Sequence, residues 1–163
     1  MTTLQMLNLK DVEFTKWGHG DRFEARLGTI GGRIGAKKLG YRIVVLPPGK
    51  SGWPAHVHHV NEEMFFILDG KGIIRLGTER LPLKAGDFVC CPAGGNAHQI
   101  SNDSAEELRY LAVSTMESPE VVEYPDSGKF GVVVRKPGAP PDKPDFAFLG
   151  RKSSATDYWD GEK

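Results

Sequence analysis

The chain has 163 residues, and 21 Lys+Arg balance 21 Asp+Glu to a formal net charge of zero. That length suits one ordinary domain and excludes two independent catalytic domains, while the even charge removes the electrostatic footprint of a general nucleic-acid binder. Apolar residues make up 39% of the chain, enough for a sizeable core, and runs such as 43–46 are far too short to cross a bilayer, so the sequence reads as soluble and globular.

The N-terminal decapeptide has no basic start followed by an apolar stretch, so no secretory signal is read and the cytoplasm is the expected compartment. Gly31-Gly32-Arg33-Ile34-Gly35 has no legible helix after it and reads as a turn, not a phosphate loop. From about residue 40 to residue 115, short β-rich runs alternate with turn signals: 41–46, 64–68, 73–76, 81–83, 88–91, 98–101 and 108–114. Seven short strands at this spacing, with no amphipathic helix of three turns, predict an antiparallel sandwich or barrel. Cys90 and Cys91 are neighbours that point to opposite faces of a strand, so no disulfide is expected and both read as buried small apolar residues. Asn102-Asp103-Ser104 fits a glycosylation acceptor but has no secretory route to make use of it. The segment 136–144, with four prolines, reads as a semi-rigid spacer to a tail. That tail carries Tyr158 and Trp159, whose apolar surface calls for cover, either from its own body or from a partner.

The chemistry is concentrated in His56-Val57-His58-His59-Val60-Asn61-Glu62-Glu63. On a strand, His56 and His58 face the same way and make a two-imidazole grip. Glu63 lies at an odd offset from His58 and rejoins that face only if Val60-Asn61 turns the chain. A histidine-bearing strand followed by a solvated Glu62-Glu63 is also what a plain polar edge looks like. A second histidine segment tips the balance: Gly86 leads through Pro92 and Gly94 to His98 at the start of a later strand. Imidazoles with one carboxylate suit first-row transition metals and not Ca or Mg.

These two segments resemble the cupin superfamily. Its first motif is matched here by His56-x-His58, four residues, Glu63, six residues, Gly70, and its second by Gly86, five residues, Pro92-x-Gly94, His98, three residues, Asn102. Two departures stand out: no glycine lies six positions before His56, and three residues rather than two separate Gly94 from His98. The resemblance implies an all-β fold, a cupin jelly-roll β-barrel or antiparallel double-sheet sandwich, with extended N- and C-terminal arms. Residues 1–39 are then an N-terminal arm with the first strands, 40–115 the barrel, and 116–163 a C-terminal extension containing the spacer and the aromatic tail. It also implies one divalent transition metal per chain (Zn, Fe, Mn or Ni) on His56, His58, Glu63 and His98, with open positions for a substrate. Glu62 is the rival ligand, one register step away. His59 is expected at the surface or supporting the site. Phe65 and Phe66 should take opposite faces of one strand.

Small cupins of this layout with a Tyr-Trp-Asp-Gly-Glu ending look like a group described as sugar-phosphate isomerases, and that activity is the expectation here. Glu62 is its expected proton carrier, and Lys71, Arg75 or Arg109 its expected phosphate contacts. A metal-dependent dioxygenase or decarboxylase, or a non-catalytic sugar- or metal-binding module, is the alternative. The expected partners are a small-molecule substrate and a second copy of the chain in a homodimer, with no nucleic acid and no membrane.

Overall fold

The computed structural model describes residues 5–136 and 144–163. Most of the Pro-rich spacer expected at 136–144 therefore lies outside the described residues, as do the first four residues of the N-terminus.

Two layers of antiparallel strands face each other. One is a six-stranded sheet in the spatial order β1 (Thr15–His19), β2 (Phe23–Thr29), β3 (Leu39–Leu46), β10 (Leu108–Thr115), β5 (Glu63–Asp69) and β8 (Phe88–Cys91). Opposite it lie a four-stranded sheet, β13 (Phe146–Arg151), β12 (Lys129–Val134), β11 (Glu120–Tyr124) and β4 (Val57–His58), and a three-stranded sheet, β7 (Glu79–Lys84), β6 (Lys71–Leu76) and β9 (His98–Ser101). One reciprocal pair of hydrogen bonds joins these last two sheets: His56 N donates to His98 O at 3.1 Å, and His98 N donates to His56 O at 2.8 Å. The seam between the sheets is thus made by two of the histidines singled out in the sequence.

Period-two alternation decides which side chains meet between the layers. Val44 and Leu46 on β3, Tyr110 and Leu108 on β10, and Phe65 and Ile67 on β5 pack against Ile74 on β6, Leu83 on β7 and Ile100 on β9. Cross-strand partners carry this inner face across the sheet in rows: Arg42, Ala112, Phe65 and Val89 form one, and Gly40, Ser114, Glu63 and Cys91 the next. On the outer face, Ile43 and Val45 are also buried, and Val12 and Phe14 of the N-terminal arm lie so close to Gly28 that a Cβ there would strike them. The β5–β6 hairpin turns at Gly70, whose φ of +83° suits glycine. A Cβ at Gly70 would also collide with the carbonyl of Glu107.

The all-β sandwich matches the expectation, and each of the seven anticipated strands is present. Helical structure among the described residues is confined to four short 3₁₀ turns, one of them at Gly31–Ile34, where a turn was expected. No described helix is long and apolar enough to cross a membrane. β1, β2, β4 and β11 to β13 lie outside those seven runs, β4 being the short strand of the His56-x-His58 segment. All five residues of β1 are exposed, so that strand carries no apolar alternation to read.

One expectation fails on facing, and one open alternative is decided. Cys91 is buried on the inner face, but Cys90 is exposed, because β8 is the edge of its sheet and the outer side of Cys90 has no layer above it. Tyr158 and Trp159 do not pack on their own body: they are 82% and 71% exposed and touch each other edge to face at 4.8 Å between centroids.

Candidate metal centre

His56 and His58 reach the inner face from β4 and the residue before it, His98 from the first position of β9, and Glu63 from the first position of β5. Their side-chain donor atoms all lie within 4.8 Å of one another. Glu63 Oε2 is the hub, at 2.9 Å from His98 Nε2, 3.4 Å from His58 Nε2 and 3.8 Å from His56 Nε2. The four residues expected as ligands are therefore brought together. Three imidazole nitrogens and one carboxylate oxygen converging inside a protein form a donor set compatible with a first-row transition metal.

Local structure aims each ring. His56 Nδ1 lies 2.8 Å from the carbonyl oxygen of Pro54, which can only accept, so in the neutral ring Nδ1 carries the proton and Nε2 is the nitrogen left to bind an ion. The His98 ring is held between His56, at 4.5 Å, and Phe65, at 5.7 Å between centroids. His58 is held by its backbone: its carbonyl accepts from Gly94 N at 2.7 Å, and Gly94 makes that turn with a φ of +67°. His58 Nδ1 is buried and has no hydrogen-bond partner.

Electrostatics separate the ligands. Burial favours a neutral Glu63, but the three imidazoles gathered around its carboxyl, His98 within hydrogen-bond distance at 2.9 Å, overcome it and hold the carboxyl well below the usual carboxylate range. Burial also opposes protonation of His58, yet the Glu63 carboxylate and the charge of Glu120 outweigh it and raise its pKa. At His98 burial prevails, and its pKa is lowered. Without an ion, the cluster thus balances one buried carboxylate against imidazoles of unequal basicity, a balance that a bound cation would replace.

The cluster lines a cavity of about 230 Å³, walled by Trp53, Phe65, Tyr110, Tyr124 and Val122, with Arg42 at its mouth. The Arg42 guanidinium lies 5.9 Å from the centroid of the Trp53 ring. Small Ala112, the cross-strand partner of Arg42, leaves it room.

Several residues sit elsewhere than expected. Glu62 is exposed and outside the cavity lining; alternation turns it away from the face that Glu63 shares, and its backbone N–H is held by Thr115 Oγ1 at 2.9 Å. Among the expected phosphate contacts, Arg75 is committed to Asp126 at 2.7 and 2.9 Å, and neither Lys71 nor Arg109 lines the cavity. His59, by contrast, is exposed as expected and is paired with Glu123 at 3.1 Å. Asn102 is 1% exposed and structural, its amide donating to the carbonyls of Leu46 and Glu106. Arg42 was missed, although its two-residue offset from Val44 within an apolar strand placed it on the core face.

A family model described as "Cupin domain" matches residues 42–114. Those residues, a little under half of the chain, are similar to a cupin domain. The chain is 40% identical over 68 residues to an oxalate-binding protein of Thermotoga maritima, an alignment covering 42% of this chain and 54% of that protein. The chain thus spans about half the length of that relative. Over nearly its whole length it is similar to a crystal structure from Acidithiobacillus ferrooxidans described as a candidate sugar phosphate isomerase: 25% identity, TM-score 0.76, covering 94% of this chain and 96% of that one. A cupin-superfamily structure from Silicibacter pomeroyi, described as a sugar phosphate isomerase, has 21% identity and a TM-score of 0.77 over 95% of this chain and 98% of its own. At that identity it speaks for the fold alone.

Proposed function

We propose that this protein is a metal-dependent enzyme that isomerises a small hydroxy-carbonyl compound, a sugar or sugar phosphate. The observation that carries this reading is the pairing of the four-donor cluster with Arg42 at the mouth of the same small cavity. At about 230 Å³ it lies below the roughly 300–1,000 Å³ of drug-sized sites and so suits a compact metabolite. The full-length similarity to the Acidithiobacillus protein supports the same class.

His56, His58, Glu63 and His98 would hold the ion, which when bound supplies Lewis acidity to an adjacent hydroxyl and carbonyl. Arg42 would meet an anionic end of the substrate with a directional, charge-assisted contact, and Trp53 offers a ring face beside it. Burial raises the pKa of Tyr124, so this phenol stays protonated at neutral pH and donates a hydrogen bond to a substrate oxygen. With Glu62 outside the cavity, the imidazoles and Glu63 engaged as ligands and the Tyr110 phenol pushed far up by burial, Tyr124 is the lining group left to hand on a proton.

The 40% identity over 68 residues to the oxalate-binding protein favours one other reading, in which the same donors and Arg42 hold a small dicarboxylate without turnover. Protein stripped of metal and reloaded with Zn or Fe separates the two when sugar phosphates and oxalate are followed by NMR, with and without oxygen. Isomerisation supported by Zn and indifferent to oxygen is expected. Oxygen consumption confined to Fe would establish a dioxygenase, and tight oxalate binding with no turnover of any sugar phosphate would establish the binding module. We further propose that the chain works as a homodimer in which Tyr158 and Trp159 find their cover.

A further inference from the structure

Glu120 is 4% exposed, carries a carboxylate, and has no part in the proposed reaction. Its surroundings are the loop 59–62, which must turn the chain so that His58 and Glu63, at an odd offset, face one cavity. Glu120 Oε1 accepts from the backbone N–H of His59 at 3.2 Å and Val60 at 3.3 Å. Glu120 Oε2 accepts from the N–H of Asn61 at 2.9 Å and from its side-chain Nδ2. Asn61 Oδ1 in turn accepts from Glu117 N at 2.7 Å and Thr115 Oγ1 at 2.9 Å. One buried carboxylate thus gathers three consecutive loop amides, those of exposed His59 and Val60 and of buried Asn61, and the His59 N–H also donates to the Val121 carbonyl at 2.9 Å. The same Oε2 stands 3.6 Å from His58 Nδ1, the buried ring nitrogen that has no hydrogen-bond partner.

We propose that Glu120 is a positioning residue of the metal centre: it fixes the His58–Glu63 loop and is the acceptor for His58 Nδ1–H, so that His58 Nε2 offers its lone pair to the ion. This rests on the metal reading given above. Histidine ligands generally donate their second ring N–H to such a partner, which sets tautomer and basicity. Glutamine at 120 would put an NH₂ either against the His59 and Val60 N–H groups or against the Asn61 donors and His58 Nδ1, so loop and ring would lose their common anchor.

The test measures zinc affinity of the full chain by chelator competition, beside the melting temperature of the metal-free protein. Glu120→Gln is expected to weaken zinc binding about 10- to 100-fold. Val45→Ala, a cavity on the outer face of β3, should lower the melting temperature while leaving zinc affinity within about twofold. In zinc-loaded wild type, the His58 Nδ1–H proton should be visible by NMR and exchange slowly, unlike that of exposed His19. Unchanged zinc affinity in Glu120→Gln would overturn the proposal, as would an equal loss in Val45→Ala. Should Glu120→Gln fail to fold, the NMR signal decides: a His58 Nδ1–H exchanging as fast as that of His19 overturns the proposal. Wild type that binds no zinc would overturn the metal reading itself, a result distinct from all of these.

Discussion

Replacing Phe65 by Ala probes core and site together. Phe65 is buried, meets Tyr110 edge to face with centroids 5.7 Å apart, and walls the His98 ring. Its cross-strand neighbours are Ala112 and Val89, too small to refill the space, so the cost should fall at about 3–5 kcal/mol, as for truncation of a well-packed aromatic. For a chain of this size that is roughly 6–20 °C in melting temperature, at ~2–4 °C per kcal/mol. Phe66→Ala is the matched control: it faces the other way and stacks at 4.4 Å on Phe88, which is itself 71% exposed. Only about 1 kcal/mol is expected there, from one offset aromatic pair and partial burial. Urea and thermal unfolding of the metal-free variants would measure both. Equal losses, or a larger one at Phe66, would mean that β5 runs one residue out of register and would place Glu63 outside the cavity.

Thiol labelling should distinguish the two cysteines: burial pushes the Cys91 thiol up to about 12, so at pH 8 it stays protonated and unreactive, whereas exposed Cys90 is alkylated and mass spectrometry finds one adduct per native chain. Two adducts at equal rates would contradict the assigned facing of β8. Arg42→Ala should weaken binding of a phosphorylated sugar about tenfold, from the loss of one partly solvated charge-assisted contact, and leave the unphosphorylated sugar unaffected. Equal effects on both ligands would remove Arg42 as the anion contact. Deleting residues 155–163 keeps β13 in place and removes Tyr158 and Trp159, so light scattering should show the mass moving from dimer toward monomer. A truncated chain that remains dimeric would take the tail out of the interface.

What could be read from the sequence was whatever depends on short-range pattern. The strands between 40 and 115 carry their own turn signals, and the spacing of His56, His58 and Glu63 encodes both strand alternation and the turn that interrupts it. What escaped depends on distant pairings. Arg42 reaches the cavity mouth because β3 pairs with β10 and sets it beside Ala112. Glu62 and Glu63 are neighbours that alternation sends to opposite faces, and the 59–62 turn that precedes them is held by Glu120, on a strand that begins beyond the barrel motifs. In sequence Glu120 is one more acidic residue near a proline. Asn61 likewise gives no local sign that its amide will bind the 115–120 segment. β1, exposed along its length, has no periodicity to detect, and Cys90 and Cys91 differ only because β8 is an edge.

The account stands or falls on the ion. Protein produced without an affinity nickel column, analysed for elemental content, should carry one transition metal per chain, and chelation should lower its melting temperature, since an ion bound only by the native state stabilises it by mass action. His56→Ala and Glu63→Gln should each lose most of the metal, and Glu62→Gln should keep it. A metal-free wild type whose melting is indifferent to added Zn, Fe, Mn and Ni, or a Glu62→Gln variant that loses metal while Glu63→Gln retains it, would contradict the site described above.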